Sequence, residues 1–83
     1  MINLDCTEMK NADDLHALLA AALGFPAYYG HNLDALFDCL MDLRQDICLR
    51  LYGWAELGQW KDGFTEVFLD ATRENPHLDI AFI

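Results

Sequence analysis

Eighty-three residues, 54% of them apolar, with 5 Lys and Arg against 14 Asp and Glu for a net charge of −9, describe one small acidic domain spanning residues 1–83. That apolar content excludes a disordered chain. The negative charge disfavours DNA, RNA and anionic membrane as direct partners and favours a basic one, because complementary fields speed encounter.

Met1-Ile2-Asn3-Leu4-Asp5-Cys6 alternates apolar with polar and predicts a strand. Asp13 or Asp14 then offers a cap for a helix carrying Leu15, Leu18, Leu19, Ala22 and Leu23 at helical spacing, with Gly24 as its stop. The stretch from Gly24 to His31 has glycine near both ends, Pro26 inside and three aromatics, and reads as a loop. Asn32 caps a second helix expected from Leu33 to about Leu43. One side carries Leu33, Leu36, Cys39, Leu40 and Leu43, and the other carries Asp34, Asp38 and Asp42.

Ile47 to Tyr52, followed by Gly53, predicts a buried strand. Trp54 to Asp62 is weakly patterned, with Ala55-Glu56-Leu57 able to form a turn of helix. Phe64, Val67, Phe68 and Ala71 predict a helix stopped at Asn75-Pro76. Leu78 to Ile83 is nearly all apolar, which suggests a strand covered on both sides. The order strand, helix, helix, strand, helix, strand implies an α/β fold with parallel strands.

Cys6, Cys39 and Cys48 are odd in number and lack CxxC spacing, so they read as buried free thiols of a reduced, cytoplasmic protein. Residues 1–25 have no basic start, long apolar run or cleavage site, which predicts no signal peptide. No apolar run is long enough to span a membrane.

Catalytic chemistry finds little support. The chain contains no serine, so serine-nucleophile catalysis and a serine-linked acyl-carrier arm are excluded. There is no nucleophile–base pair, phosphate loop or dinucleotide fingerprint, and the cysteines lie on apolar faces where thiols pack inertly. His16, His31 and His77 are scattered and read as surface or capping residues. The aspartates lie along a helix without a histidine four residues away, which is not a metal-ligand pattern, so no metal or cofactor is implied. Asp34, Asp38 and Asp42 could be an ordinary solvated face. Against that, like charges four apart weaken their own helix, and Phe37 with Tyr28 and Tyr29 flanks them. Carboxylates bordered by rigid aromatics are the ingredients of an interface.

The stretch from Phe25 to Leu40 closely resembles the signature of the barstar family, intracellular inhibitors of the ribonuclease barnase. The dense core of the match, P-x-Y-Y-G-x-N-L-D-A-L-x-D-C-L, covers 15 positions from Pro26. Asp14-Leu15-His16 looks like the family's first helix and Val67-Phe68 with Asp70-Ala71 like its late one, whereas Arg44 to Gly63 aligns loosely.

The resemblance implies a three-stranded parallel sheet packed by three to four helices, and an acidic helix with its preceding loop plugging a ribonuclease active site. By position, Tyr28, Asp34, Phe37 and Asp38 match family contact residues, and Asp70 and Glu74 match acidic contacts on the later helix. Tyr29, Asn32 and Asp42 complete the candidate partner-binding set. Asp38 is the carboxylate expected to imitate a phosphate among the nuclease's cationic groups. Phe37 stands where the family often has tryptophan, Leu43 and Arg44 lie where another aromatic is expected, and Asp42 adds a charge. The implied protein is a cytoplasmic, non-enzymatic inhibitor of a bacterial ribonuclease or related toxin, forming a 1:1 complex in an immunity role. The alternative is an acidic interaction module that binds a basic partner without inhibiting a nuclease.

Overall fold

The computed structural model describes residues 1–83. Strand β1 (Ile2–Asp5) is followed by helices α1 (Ala12–Leu23) and α2 (Leu33–Met41), strand β2 (Ile47–Tyr52), helix α3 (Asp62–Glu74) and strand β3 (Leu78–Phe82). The weakly patterned stretch before α3 forms two short 3-10 turns, Trp54–Glu56 and Gln59–Lys61. All strands are parallel in the order β1-β2-β3, with Leu4 opposite Leu51 and Leu51 opposite Phe82. The α/β class, the three-stranded parallel sheet and the helical elements thus agree with the expectation from sequence.

Helix α1 begins upstream of the expected cap. Asn11 accepts the Asp14 N–H at 2.9 Å, and the Asp14 carboxylate accepts the Lys10 N–H at 3.0 Å, a reciprocal arrangement akin to a capping box. Asp13 and Asp14 therefore lie in the first turn, where the helix dipole favours negative charge. Helix α2 ends at Met41, short of Leu43, and Arg44 donates to the Met41 carbonyl at 3.2 Å.

The three helices share one core with the inner face of the sheet, where Leu15, Leu19, Leu36, Leu40, Phe64 and Phe68 meet Leu4, Leu49, Leu51 and Leu78. The last strand is not covered on both sides as expected. Leu78, Ile80 and Phe82 face the core, whereas Asp79 is exposed and Ala81 lies on the outer face beside Arg50. Asn3, Asp5 and Tyr52 continue that outer face, so this small parallel sheet leaves one side to solvent. Of the three free cysteines only Cys6 is fully buried. Cys39 and Cys48 are half-buried, because one lies at the margin of α2 and the other on the outer sheet face.

Candidate functional site

The loop between α1 and α2 is shaped by its ends. Gly24, at φ 69°, takes the left-handed conformation that closes α1 and donates its N–H to the Ala20 carbonyl. The Tyr29 N–H then bonds the Pro26 carbonyl at 2.9 Å, making a turn with Tyr28 near its tip. Tyr28 is 88% exposed.

Tyr29, grouped with Tyr28 from the sequence, points the other way. It is buried, and its hydroxyl lies 2.6 Å from His16 Nδ1. Burial, reinforced by the neighbouring Cys39, pushes that hydroxyl up to about 12. Tyr29 fastens the loop from beneath. Asn32 is exposed, with both ends of its amide engaged within the chain: Oδ1 accepts the Ala35 N–H at 2.8 Å and Nδ2 donates to the Gly30 carbonyl at 3.3 Å. It sets the angle between loop and helix.

Asp34, Asp38 and Asp42 are all exposed along α2. They border two depressions. One is a groove between α2 and α3, floored by Leu33, Phe37 and Val67 and edged by Asp34, Asp38 and Asp70. The other is a cleft of about 320 Å³ between α2 and the loop, walled by Phe25, Pro26, Tyr28 and Leu43 and edged by Asp38 and Asp42. Asp38 belongs to both, on the ridge where they meet.

Asp70 shares its charge with Arg73, one turn further along α3. Glu74 is exposed one turn beyond Asp70 and does not line the groove. The thiol of Cys39, in the cleft wall, is pushed up by burial and by the negative fields of Asp42 and Asp38, so it stays protonated and unreactive. Carboxylates around an apolar floor can accept charge-assisted hydrogen bonds from clustered Arg, Lys or His.

Two features were missed in the sequence. Val67 was assigned to the core face of α3, yet it is half-buried in the groove floor. The histidines are also less scattered than their numbering suggests. His16 is buried, with its ring 5.8 Å from that of His31, and His31 pairs with Asp13 at 2.6 Å. Burial lowers the His16 pKa, His31 lowers it further, and Asp13 partly offsets both. The signal for His16 was its position one turn before Leu19 and Ala20 on the apolar side of α1. His77 pairs with Asp46 at 2.8 Å. No three His, Cys, Asp or Glu side chains converge as metal ligands would, and no helix is long and apolar enough to cross a membrane.

Comparison with known proteins gives two matches. The family model described as Barstar (barnase inhibitor) matches residues 1–82. A Bacillus subtilis (strain 168) protein named "Putative ribonuclease inhibitor YrdF" is 38% identical over 78 residues, an alignment covering 88% of this chain and 86% of the relative.

Proposed function

The chain belongs to the barstar family, and from that premise we propose that it is a single-domain, 1:1 inhibitor that inserts Asp38 into the cationic active site of a ribonuclease or related toxin. Family membership and the relative's name support a ribonuclease inhibitor role. The position of Asp38 on the ridge between two depressions is the observation that carries the mechanism. From that ridge a carboxylate meets Arg, Lys or His side chains gathered around a scissile phosphate, while Asp34 and Asp70 edge one flank and Tyr28 the other. Phe37 supplies apolar contact in the groove, and Asp42 adds charge at the far end of the cleft. Glu74 extends the acidic face of α3, whereas Tyr29 and Asn32 act by holding the loop. Negative charge concentrated there steers a basic enzyme and repels RNA, as suits an immunity protein of the cytoplasm.

The test pairs Asp38→Ala with Asp79→Ala, an equal loss of charge on the outer sheet face, against purified ribonucleases captured by the native protein. Asp38→Ala is expected to weaken inhibition by at least about 30-fold, the threshold of an interface hot spot, with Asp79→Ala near wild type. Added salt is expected to slow association of the native pair. Equal effects of the two variants would refute the insertion mechanism. Capture of a basic protein whose nuclease activity is unchanged would favour an interaction module instead.

A further inference from the structure

The loop that presents Tyr28 is held to α1 by a chain of four polar side chains. Asp13 lies 2.6 Å from His31 Nδ1, the His31 ring stacks near His16 at 5.8 Å with 27° between planes, and His16 Nδ1 lies 2.6 Å from the Tyr29 hydroxyl. His16 is 3% exposed, and the Phe64 ring of α3 packs against it at 4.7 Å. His31 stands at φ 49°, a left-handed conformation that a side chain of its kind holds only where its surroundings determine it.

We propose that His16 and His31 are positioning residues that lock the Tyr28 loop against α1, and that protonation of His16 in mild acid releases the lock. The consequence for inhibition rests on the function proposed above, whereas the release is a property of the free protein. Whichever tautomer neutral His16 adopts, a second ring proton creates a cation in an enclosed site. The groups facing it are Tyr29 and His31 from the loop, Asp13 from α1 and the uncharged Phe64 from α3, while Cys39 of α2 approaches through Tyr29. None is a carboxylate free for His16, because Asp13 is engaged by His31.

Burial first, then His31, holds the His16 pKa below its ordinary 6.5. An opened loop therefore takes up the proton more readily than a closed one. The closed form is favoured fully above about pH 6.5 and loses ground as pH falls below it.

Amide hydrogen exchange of the free, full-length protein tests this, because the Tyr29 N–H is bonded to the Pro26 carbonyl within the loop. After correction for intrinsic rates, its protection is expected to fall at least tenfold between pH 7.5 and pH 5 while β2 and α3 amides keep theirs. In His16→Gln, whose amide still reaches Tyr29 but does not titrate, the fall is expected to disappear. In His31→Gln, altered at an exposed residue, removal of the neighbouring ring's charge is expected to move the midpoint to higher pH. Constant protection of Tyr29 in the native protein, or its loss together with β2 and α3, would overturn the proposal. An unmoved midpoint in His31→Gln would do the same even if His16→Gln failed to fold. Because no nuclease enters these measurements, their failure is separable from failure of the inhibitor reading. Where inhibition is measurable, the acid-induced loss of affinity is expected to vanish in His16→Gln.

Discussion

The side-chain amide of Asn75 donates to the Leu40 carbonyl at 2.8 Å, and also to the Leu43 carbonyl at 3.2 Å. The residue that ends α3 thereby closes the C-terminal end of α2, the helix bearing the carboxylates. Its own Oδ1 accepts the His77 N–H at 3.0 Å, so a buried polar group is satisfied at both ends. Asn75→Ala strands carbonyls that the end of a helix already leaves without partners, and is expected to cost about 2 to 3 kcal/mol. Asn75→Asp, with no donor and a charge beside a helix C-terminus, is expected to cost more. Urea unfolding with an unchanged m-value checks both, and a loss below about 0.5 kcal/mol would mean that water replaces the amide.

Asn75 also illustrates which parts of this molecule could be read from its sequence. The helices were legible because Leu15 and Leu19, Leu36 and Leu40, and Phe64 and Phe68 repeat at the period of one buried face. Asn75 and Pro76 were legible only as a stop, since the carbonyls that Asn75 holds are 32 and 35 residues away. His16 and His31 meet through the fold of the loop after Gly24, which no local spacing encodes. The open sheet face was hidden by Ala81, a residue as much at home in a core as on a half-covered surface. The acidic stripe and Tyr28 were legible as exposed features. The groove was not, because it required knowing that Val67 and Asp70 of α3 lie against α2.

Two glycines with similar backbones predict different costs. Gly24 stands at φ 69° with nothing within 4 Å of where a Cβ would lie, so Gly24→Ala meets only backbone strain, about 1 kcal/mol. At Gly53, φ 77°, a Cβ would fall 2.4 Å from Thr7 Cγ2 and 3.4 Å from Thr7 Cα. Displacing Thr7 would break its hydroxyl and N–H bonds to Asp5, at 2.6 and 3.0 Å. Gly53→Ala is therefore expected to be the more destabilising by at least about 1 kcal/mol. Those Thr7 bonds hold the Asp5 carboxyl below its usual 3.8, so NMR titration is expected to show its return toward that value in Gly53→Ala alone.

Alkaline pH gives a separate test of the core. Burial, assisted by the charge of Asp5, pushes the Cys6 thiol from 9.0 up to about 11, and Tyr29 is pushed from 10.0 to about 12. In both the folded state disfavours the anion, so the unfolded chain loses its proton first. Stability is expected to be level below pH 9 and to fall as pH rises through 9 to 11, by about 2 kcal/mol for Cys6. Tyr29 adds its own loss from about pH 10 upward. Cys6→Ala costs about 1 kcal/mol at neutral pH through lost packing, yet delays the decline until Tyr29 begins to titrate. Thermal melts between pH 7 and 11 distinguish the two curves, and identical alkaline slopes would remove Cys6 as the cause.

The three aspartates of α2 differ in what they cost the free protein, because the helix dipole changes sign along their row. Asp34 lies in the first turn, where negative charge is favoured, while Asp42 caps the other end, where it is opposed. Asp38 has like charges one turn away on both sides, each pair repelling by a few tenths of a kcal/mol. Neutralisation is therefore expected to raise stability most for Asp42→Asn, by roughly 0.5 to 1 kcal/mol. A smaller gain is expected for Asp38→Asn, and for Asp34→Asn no gain or a slight loss. Moderate salt is expected to shrink these differences. Inhibition is expected to rank differently, with Asp38 first, since its place depends on the two depressions it borders and not on the helix dipole. Melting temperatures and inhibition constants for the three variants give both rankings. If the variant that most weakened inhibition were always the one that most stabilised the fold, one electrostatic effect would account for both, and the special position of Asp38 would lose its support.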